Sequence, residues 1–266
     1  MARIYPLFSS SKGNSTFIGE PGGGILIDAG VSFKKLTAAL ADSGLSLASI
    51  KGIFITHSHS DHVKGLGVMA RKYHIPMYGT KETIEAVKAI SSLGNIGEEL
   101  FHPVAAEEEL QLKTLTVKPF KVSHDGANPV AYRVESGEKK AAVATDLGIY
   151  NDYTIDHLKG LDVILLEANH DIRMLQTCRY PYSLKQRILG KYGHLCNEMS
   201  GRLLDAILSD KMKRVFLGHL SNENNYPDLA YESVRVEVNM SQSEYKAEDF
   251  HISVAKRDSI SDCFEF

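Results

Sequence analysis

The chain has 266 residues, 43% apolar and 24% charged, with 21 glycines and three cysteines. That length and apolar fraction suffice to bury a core in one large domain or two small ones, and they exclude disordered, collagen-like and disulfide-stapled classes. Thirty basic against 33 acidic side chains give a net charge of -3, which argues against a protein held to nucleic acid by bulk charge but leaves room for a local basic patch.

Cys178, Cys196 and Cys263 are odd in number, widely spaced and without metal-site spacing, as expected of a chain kept in a reducing compartment. The N-terminal stretch lacks the apolar core of a secretory signal, and the longest apolar run, around Val163–Leu166, falls far short of the ~18 residues of a membrane span. A cytoplasmic protein with no membrane partner is the expectation.

Taken in chain order, Arg3–Leu7, Ser15–Glu20 and Gly24–Asp28 read as three short strands joined by tight Gly/Ser/Asn turns, too close together for a parallel crossover. Leu36, Ala39 and Leu40 recur at helical spacing before Asp42-Ser43-Gly44 stops the helix. Gly52–Thr56 is a short buried strand that delivers the run from His57 onto its C-terminal end, and Gly65–Lys72 and Thr80–Ser91 are helical. From Leu110 the period changes to two: strands over 112–119, then a hairpin of Pro129–Glu135 with Lys140–Thr145. A helix at Asn151–Leu158, a strand at Leu161–Glu167, helices at Tyr182–Leu189 and Met199–Leu208, a strand at Arg214–Gly218, a helix at Pro227–Met240 and a strand at Asp249–Ala255 complete the series. Strands followed by strand-helix units, twice over, predict an α/β fold with helices outside a pair of sheets, one domain spanning residues 1–266.

Three of the 11 histidines crowd into His57-Ser58-His59-Ser60-Asp61-His62. Three imidazoles and a carboxylate at a strand end are ligands for first-row metals. His57 and His59 share a side of an extended backbone, while Asp61 and His62 need the turn that Gly65 helps to begin, so the ligands divide into two neighbouring sets. These cannot complete two metal shells alone, and three more strand ends carry a ligand type: His124, Asp146 and His219.

Those residues, with the glycine-rich N-terminal strand pair, resemble the metallo-beta-lactamase fold, a four-layer αββα sandwich of mixed sheets with a dinuclear site at one edge. The segments Ser9–Ser15, Glu167–Asp171, Gly193–Asn197 and Gly218–Ser221 resemble the YycJ/WalJ-type subgroup of bacterial hydrolases, with Cys196 standing where that pattern usually has Ser. The resemblance implies that His57, His59 and His124 hold one divalent ion, Asp61, His62 and His219 a second, and that Asp146 bridges them. It implies a metal-bound hydroxide as nucleophile, Asp61 as its orienting carboxylate, and His194 as the phosphate-contacting histidine and leaving-group acid. Zinc or manganese fits the His/Asp mixture, and iron is compatible. His170 is left without a role.

The expected reaction is phosphodiester hydrolysis, with DNA rather than RNA as substrate and a 5'-3' exonuclease as the leading form. A small-molecule phosphodiesterase or thioesterase and a nonenzymatic metal or nucleic-acid binding module are the alternatives. The span between Asp146 and His219 is too short for the large clamping domain that multidomain nucleases of this fold insert. Between Arg173 and Arg214 stand nine basic side chains against three acidic ones. A polyanion led to the metals would cross this segment, with Tyr180 and Tyr182 available to stack on bases. Ordinary solvated helix faces would produce the same count.

Overall fold

A computed structural model describes residues 1–266. In chain order its elements are β1 (Arg3–Ser10), β2 (Gly13–Glu20), β3 (Gly23–Ile27), α1 (Phe33–Asp42), β4 (Ile50–Phe54), α2 (Ser60–Val63), α3 (Leu66–Tyr73), β5 (Met77–Gly79), α4 (Lys81–Lys88) and β6 (Phe101–Pro103). The second half runs β7 (Leu110–Leu112), β8 (Leu115–Lys121), β9 (Val130–Ser136), β10 (Lys139–Ala144), α5 (Asp152–Leu158), β11 (Val163–Glu167), α6 (Ile172–Thr177), α7 (Tyr182–Leu189), α8 (Asn197–Ile207), β12 (Arg214–Gly218), α9 (Pro227–Met240), β13 (His251–Val254) and β14 (Phe264–Glu265).

Each half builds one seven-stranded sheet, in the orders β14-β1-β2-β3-β4-β5-β6 and β13-β12-β11-β10-β9-β8-β7. Both begin with antiparallel strands, joined by tight turns except for the 122–129 loop between β8 and β9, and continue with parallel strands joined through helices. Three buried clusters fill the three interfaces of four layers. One lies under α1, α3 and α4 on the first sheet, one under α5, α8 and α9 on the second, and one between the sheets. Period-two alternation sorts the residues: in β11, Val163 and Leu165 face the partner sheet while Ile164 and Leu166 face the helices. No helix is long and apolar enough to cross a membrane.

The structure departs locally from the sequence pattern. β4 ends at Phe54, so Ile55 and Thr56 form a step between the strand and His57. The turn that re-aims Asp61 and His62 is α2, with His59 as its N-cap residue, rather than a bend begun at Gly65. The strand read over 112–119 divides at Lys113, whose φ of 55° turns the chain into the β7–β8 hairpin. The α6 turn and the short strands β5, β6 and β14 carry too few residues for a visible period.

Candidate metal centre

The strands converge so that β3 and β4 of one sheet and β10, β11 and β12 of the other end at the same edge of the sandwich. Register does the placing. Ile27 pairs with Phe54, so Asp28 faces the Ile55–Thr56 step, and Glu167 pairs with Gly218, so its carboxylate lies beside His219. Asp28, Asp146 and His219 leave their strands with φ of 61°, 60° and 56°, a left-handed turn that is costly for residues with a Cβ. All three are buried.

All seven residues singled out as ligands come together. His57 Nε2 lies 3.0 Å from His59 Nδ1, which lies 3.3 Å from His124 Nε2. On the other side of Asp146, the Asp61 carboxylate is 3.4 Å from His62 Nε2 and 3.5 Å from His219 Nε2. Asp146 spans the two sets, with Oδ1 3.5 Å from His124 and Oδ2 3.3 Å from His62. A tetrahedral ion with arms of about 2.0–2.1 Å requires donors roughly 3.4 Å apart, which these separations match. Asp146 Oδ2 and His219 Nε2 are also buried without a hydrogen-bond partner, a costly state in a protein interior that a bound cation relieves.

Electrostatics agree with the geometry. Burial would lower the pKa of His62, yet Asp146, Asp28 and Asp61 together hold it well above the usual imidazole range. His219, equally buried, is pushed up to about 10 by Asp146, Asp61 and Glu167. Asp146 resists its own desolvation because His219, His62, His57 and His124 surround it, and it stays well below the ordinary carboxylate range. His57, desolvated and beside His62, moves the other way and is held neutral, the state in which an imidazole binds a metal. The cluster therefore draws in positive charge while keeping a neutral donor, as a divalent-metal site must.

Four supporting residues, Asp28, Glu167, Asn14 and Ser9, were given no individual role in the sequence. Asp28 accepts from Thr56 N at 2.9 Å, Thr56 Oγ1 at 2.8 Å and His62 Nδ1 at 2.7 Å. Glu167, fully buried, accepts from His194 Nδ1 at 2.9 Å and His219 Nδ1 at 2.7 Å on one oxygen, and from the amides of Leu147 and Leu195 on the other. Against the burial penalty, those imidazoles hold it at about 2. Such bonds fix the tautomer and leave Nε2 as the free donor. Asn14, inside the Ser9–Ser15 motif, reaches Asp61 Oδ2 at 3.3 Å, while Ser9 Oγ accepts from His219 N at 2.8 Å. The motif thus braces ligands from both sheets. The available signal for Asp28 and Glu167 was an acid at the end of an apolar strand, the same pattern that marks Asp146.

His194 has its Nδ1 on Glu167, and 3.7 Å separates that nitrogen from Asp146. It lines a cleft of about 290 Å³ with Lys12, Asp61, Tyr180, Arg187 and His219, which leaves Nε2 as its donor toward that space. His170 does not reach the cleft. It is buried behind it, bridged by backbone to Cys196, with Nε2 unpartnered and burial pulling its pKa down to about 4.

Three of the nine basic side chains between Arg173 and Arg214 are paired with an acid or buried. Arg187 makes a two-pronged pair with Asp125, Arg202 pairs with Glu237 at 2.9 Å, and Arg214 is buried 4.4 Å from the Phe216 ring. Arg187 and Tyr180 face the cleft, whereas Tyr182 is 77% exposed.

Comparison with known proteins decides the family. The model of the beta-lactamase superfamily domain matches residues 24–219. The chain is 38% identical to exodeoxyribonuclease YycJ of Bacillus anthracis, over 86% of each chain. It belongs to the beta-lactamase superfamily. Within that superfamily of metal-dependent hydrolases it lies in the YycJ/WalJ group, being also 36% identical to exodeoxyribonuclease WalJ of Streptococcus pneumoniae, over 85% of this chain and 84% of that one. The metallo-beta-lactamase fold protein YhfI of Bacillus subtilis superposes with a TM-score of 0.68 over 98% of both chains at 13% identity, which establishes the shared fold. The αββα superfamily architecture expected from the sequence is the one observed.

Proposed function

We propose that this chain is a DNA exonuclease of the superfamily, acting from the 5' end, with two divalent ions at the described centre. The carrying observation is the division of donors around Asp146: His57, His59 and His124 would hold one ion, Asp61, His62 and His219 the other, and Asp146 would touch both. The exodeoxyribonuclease names of relatives aligned over most of the chain support DNA as substrate. When bound, the ions supply Lewis acidity and lower the pKa of water at the site, with zinc, manganese or iron compatible with the donors.

The remaining chemistry belongs to the chain. His194, oriented by Glu167, presents Nε2 to the cleft, where an imidazolium stabilises charge on the phosphoryl oxygens and donates its proton to the departing sugar oxygen. Glu167, held ionised, accepts from Nδ1 of that histidine and so fixes the ring with Nε2 toward the cleft. Asp61, with 21% of its side chain exposed at the cleft floor, orients the attacking water. Tyr180 offers a ring to a terminal base. Arg187 takes a different part from electrostatic steering, since its charge is answered by Asp125 and the pair fastens α7 beside His124.

The proposal treats residues 1–266 as one catalytic domain, supported by β14 returning to pair with β1. It places the protein in the cytoplasm, supported by three cysteines that are all free. The test is a panel of 5'-phosphorylated and 5'-hydroxyl single- and double-stranded DNA and RNA, incubated with each metal and read for product length, with elemental analysis of the protein. DNA shortened from the 5' end, two ions per chain and abolition by His57→Ala are the expected results. Turnover confined to small phosphodiesters or thioesters would overturn the exonuclease reading, and one ion per chain would overturn the dinuclear one.

A further inference from the structure

The backbone segments 121–125, 147–151 and 190–194 bring His124, the turn after Asp146, and His194 to the metal centre. Beside the centre the same segments enclose a second groove, of about 420 Å³, whose lining includes Lys121, Ile149, Tyr150, Tyr153 and Tyr192. Its apolar groups are not shielded by the fold: Tyr192 is 51% exposed, Ile149 49% and Tyr153 36%. Basic groups accompany the rings, since Lys121 lines the groove and the Lys191 ammonium lies 4.7 Å from the Tyr192 centroid. Glu107, bonded to the Tyr153 hydroxyl, is answered by Lys118 at 3.3 Å and His157 at 2.9 Å.

The groove is built rigidly onto the centre. Gly148 N donates to Ser123 O at 2.7 Å, Asp125 N to Tyr192 O at 3.1 Å, and Ser123 Oγ to Lys191 O at 2.6 Å. The approach is so close that a Cβ at Gly148 would lie 2.1 Å from the Lys191 carbonyl, so only glycine lets these loops meet. His124 Nδ1 donates to Gly193 O at 2.9 Å, which ties His124 to the loop that carries Tyr192. Rings flanked by lysines, in a groove whose loops also carry His124 and His194, match unpaired bases joined by phosphates: the rings accept base faces and the ammonium groups answer the backbone. A folded protein partner would be served by the same rings, but it gives no reason for lysines beside them or for direct attachment to the catalytic loops.

We propose that this groove holds unpaired bases of a single-stranded DNA whose scissile phosphate lies at the metal centre, with Tyr192 as a stacking platform and Lys121 as a phosphate contact. The inference rests on the exonuclease reading above and adds to it a path for the strand beyond the cleft. It assigns the enzyme a preference for long single strands that the cleft alone does not supply.

The experiment compares kcat/KM of the metal-loaded protein on a long single-stranded oligonucleotide and on a dinucleotide, with Tyr192→Ala, Tyr192→Phe and Lys121→Glu. Tyr192→Ala should lose roughly five- to 150-fold on the long strand, the range for one stacked base, and leave the dinucleotide unaffected. Tyr192→Phe should retain the rate, because the ring remains, and Lys121→Glu should lower the long-strand rate by a factor that shrinks as salt rises. A base-analogue fluorophore in the strand should be quenched by the parent protein and by Tyr192→Phe but not by Tyr192→Ala. Equal losses on both substrates, or none on either, with DNA still shortened by the parent protein, would overturn the groove alone. Failure of the parent protein to shorten DNA would overturn the exonuclease reading and this inference with it.

Discussion

Glu167→Gln isolates what one buried carboxylate does for two histidines. The amide has nearly the same volume and keeps one acceptor, which can still receive the amides of Leu147 and Leu195. Its NH2 group then faces the Nδ1 atoms of His194 and His219, where a carboxylate oxygen had stood at 2.9 and 2.7 Å. Both imidazoles must accept there, so each carries its proton on Nε2, and a protonated Nε2 cannot bind a metal. Two hydrogen bonds to a charged acceptor are lost at about 1.5–3 kcal/mol each. The total of roughly 3–6 kcal/mol brackets the ~3–5 kcal/mol cost of removing one partner from a buried charged pair. At about 2–4 °C per kcal/mol for a chain of this size, the Tm of chelator-treated protein should fall by roughly 6–24 °C. Thermal melting with and without chelator, elemental analysis and nuclease rate read the three consequences separately. The rate should drop by ~10²–10⁴ as His194 loses its orienting partner. A variant that melts with the parent protein and keeps its full metal content would refute the tautomer argument, whatever its activity.

Two further outcomes follow from buried groups. His170 is held neutral by burial down to about pH 4, whereas the unfolded chain takes up that proton near 6.5, so its effect on stability is absent above 6.5 and grows as the pH falls toward 4. The parent protein should lose roughly 3 kcal/mol over that window relative to His170→Gln. Urea midpoints that stay parallel for the two proteins across the window would show that His170 is not a buried neutral group. Gly30→Ala would place a Cβ 1.6 Å from the Asp61 carbonyl and 2.8 Å from Asn14 N. It should cost at least the ~1–3 kcal/mol of overpacking and reduce metal content by displacing Asp61, and an unchanged Tm with two bound ions would contradict the close approach.

The candidate ligands were legible in the sequence because metal binding demands rare side chains, and three histidines and an aspartate within six residues have few other uses. The double series of strands and helices was legible for a related reason: period two and period 3.6 reflect local backbone geometry, so Ile164 and Leu166 alternate with Val163 and Leu165 before any partner is known. Which residues brace the ligands was decided only in three dimensions. Asp28 and Glu167 look like any acid at the end of a strand until strand register sets one beside Thr56 and His62 and the other beside His219. Motif resemblance singled out His194 and left His170 without a role, but only the structure shows that one shares Glu167 with His219 and faces the cleft while the other is sealed behind it. The basic excess shows the converse, since counting charges along the chain could not reveal that Asp125 and Glu237 answer the charges of Arg187 and Arg202 and that Arg214 is buried. Sequence carries what each side chain is and the local period it obeys; partners distant in sequence are chosen by strand register and layer packing, which exist only once the chain has closed on itself.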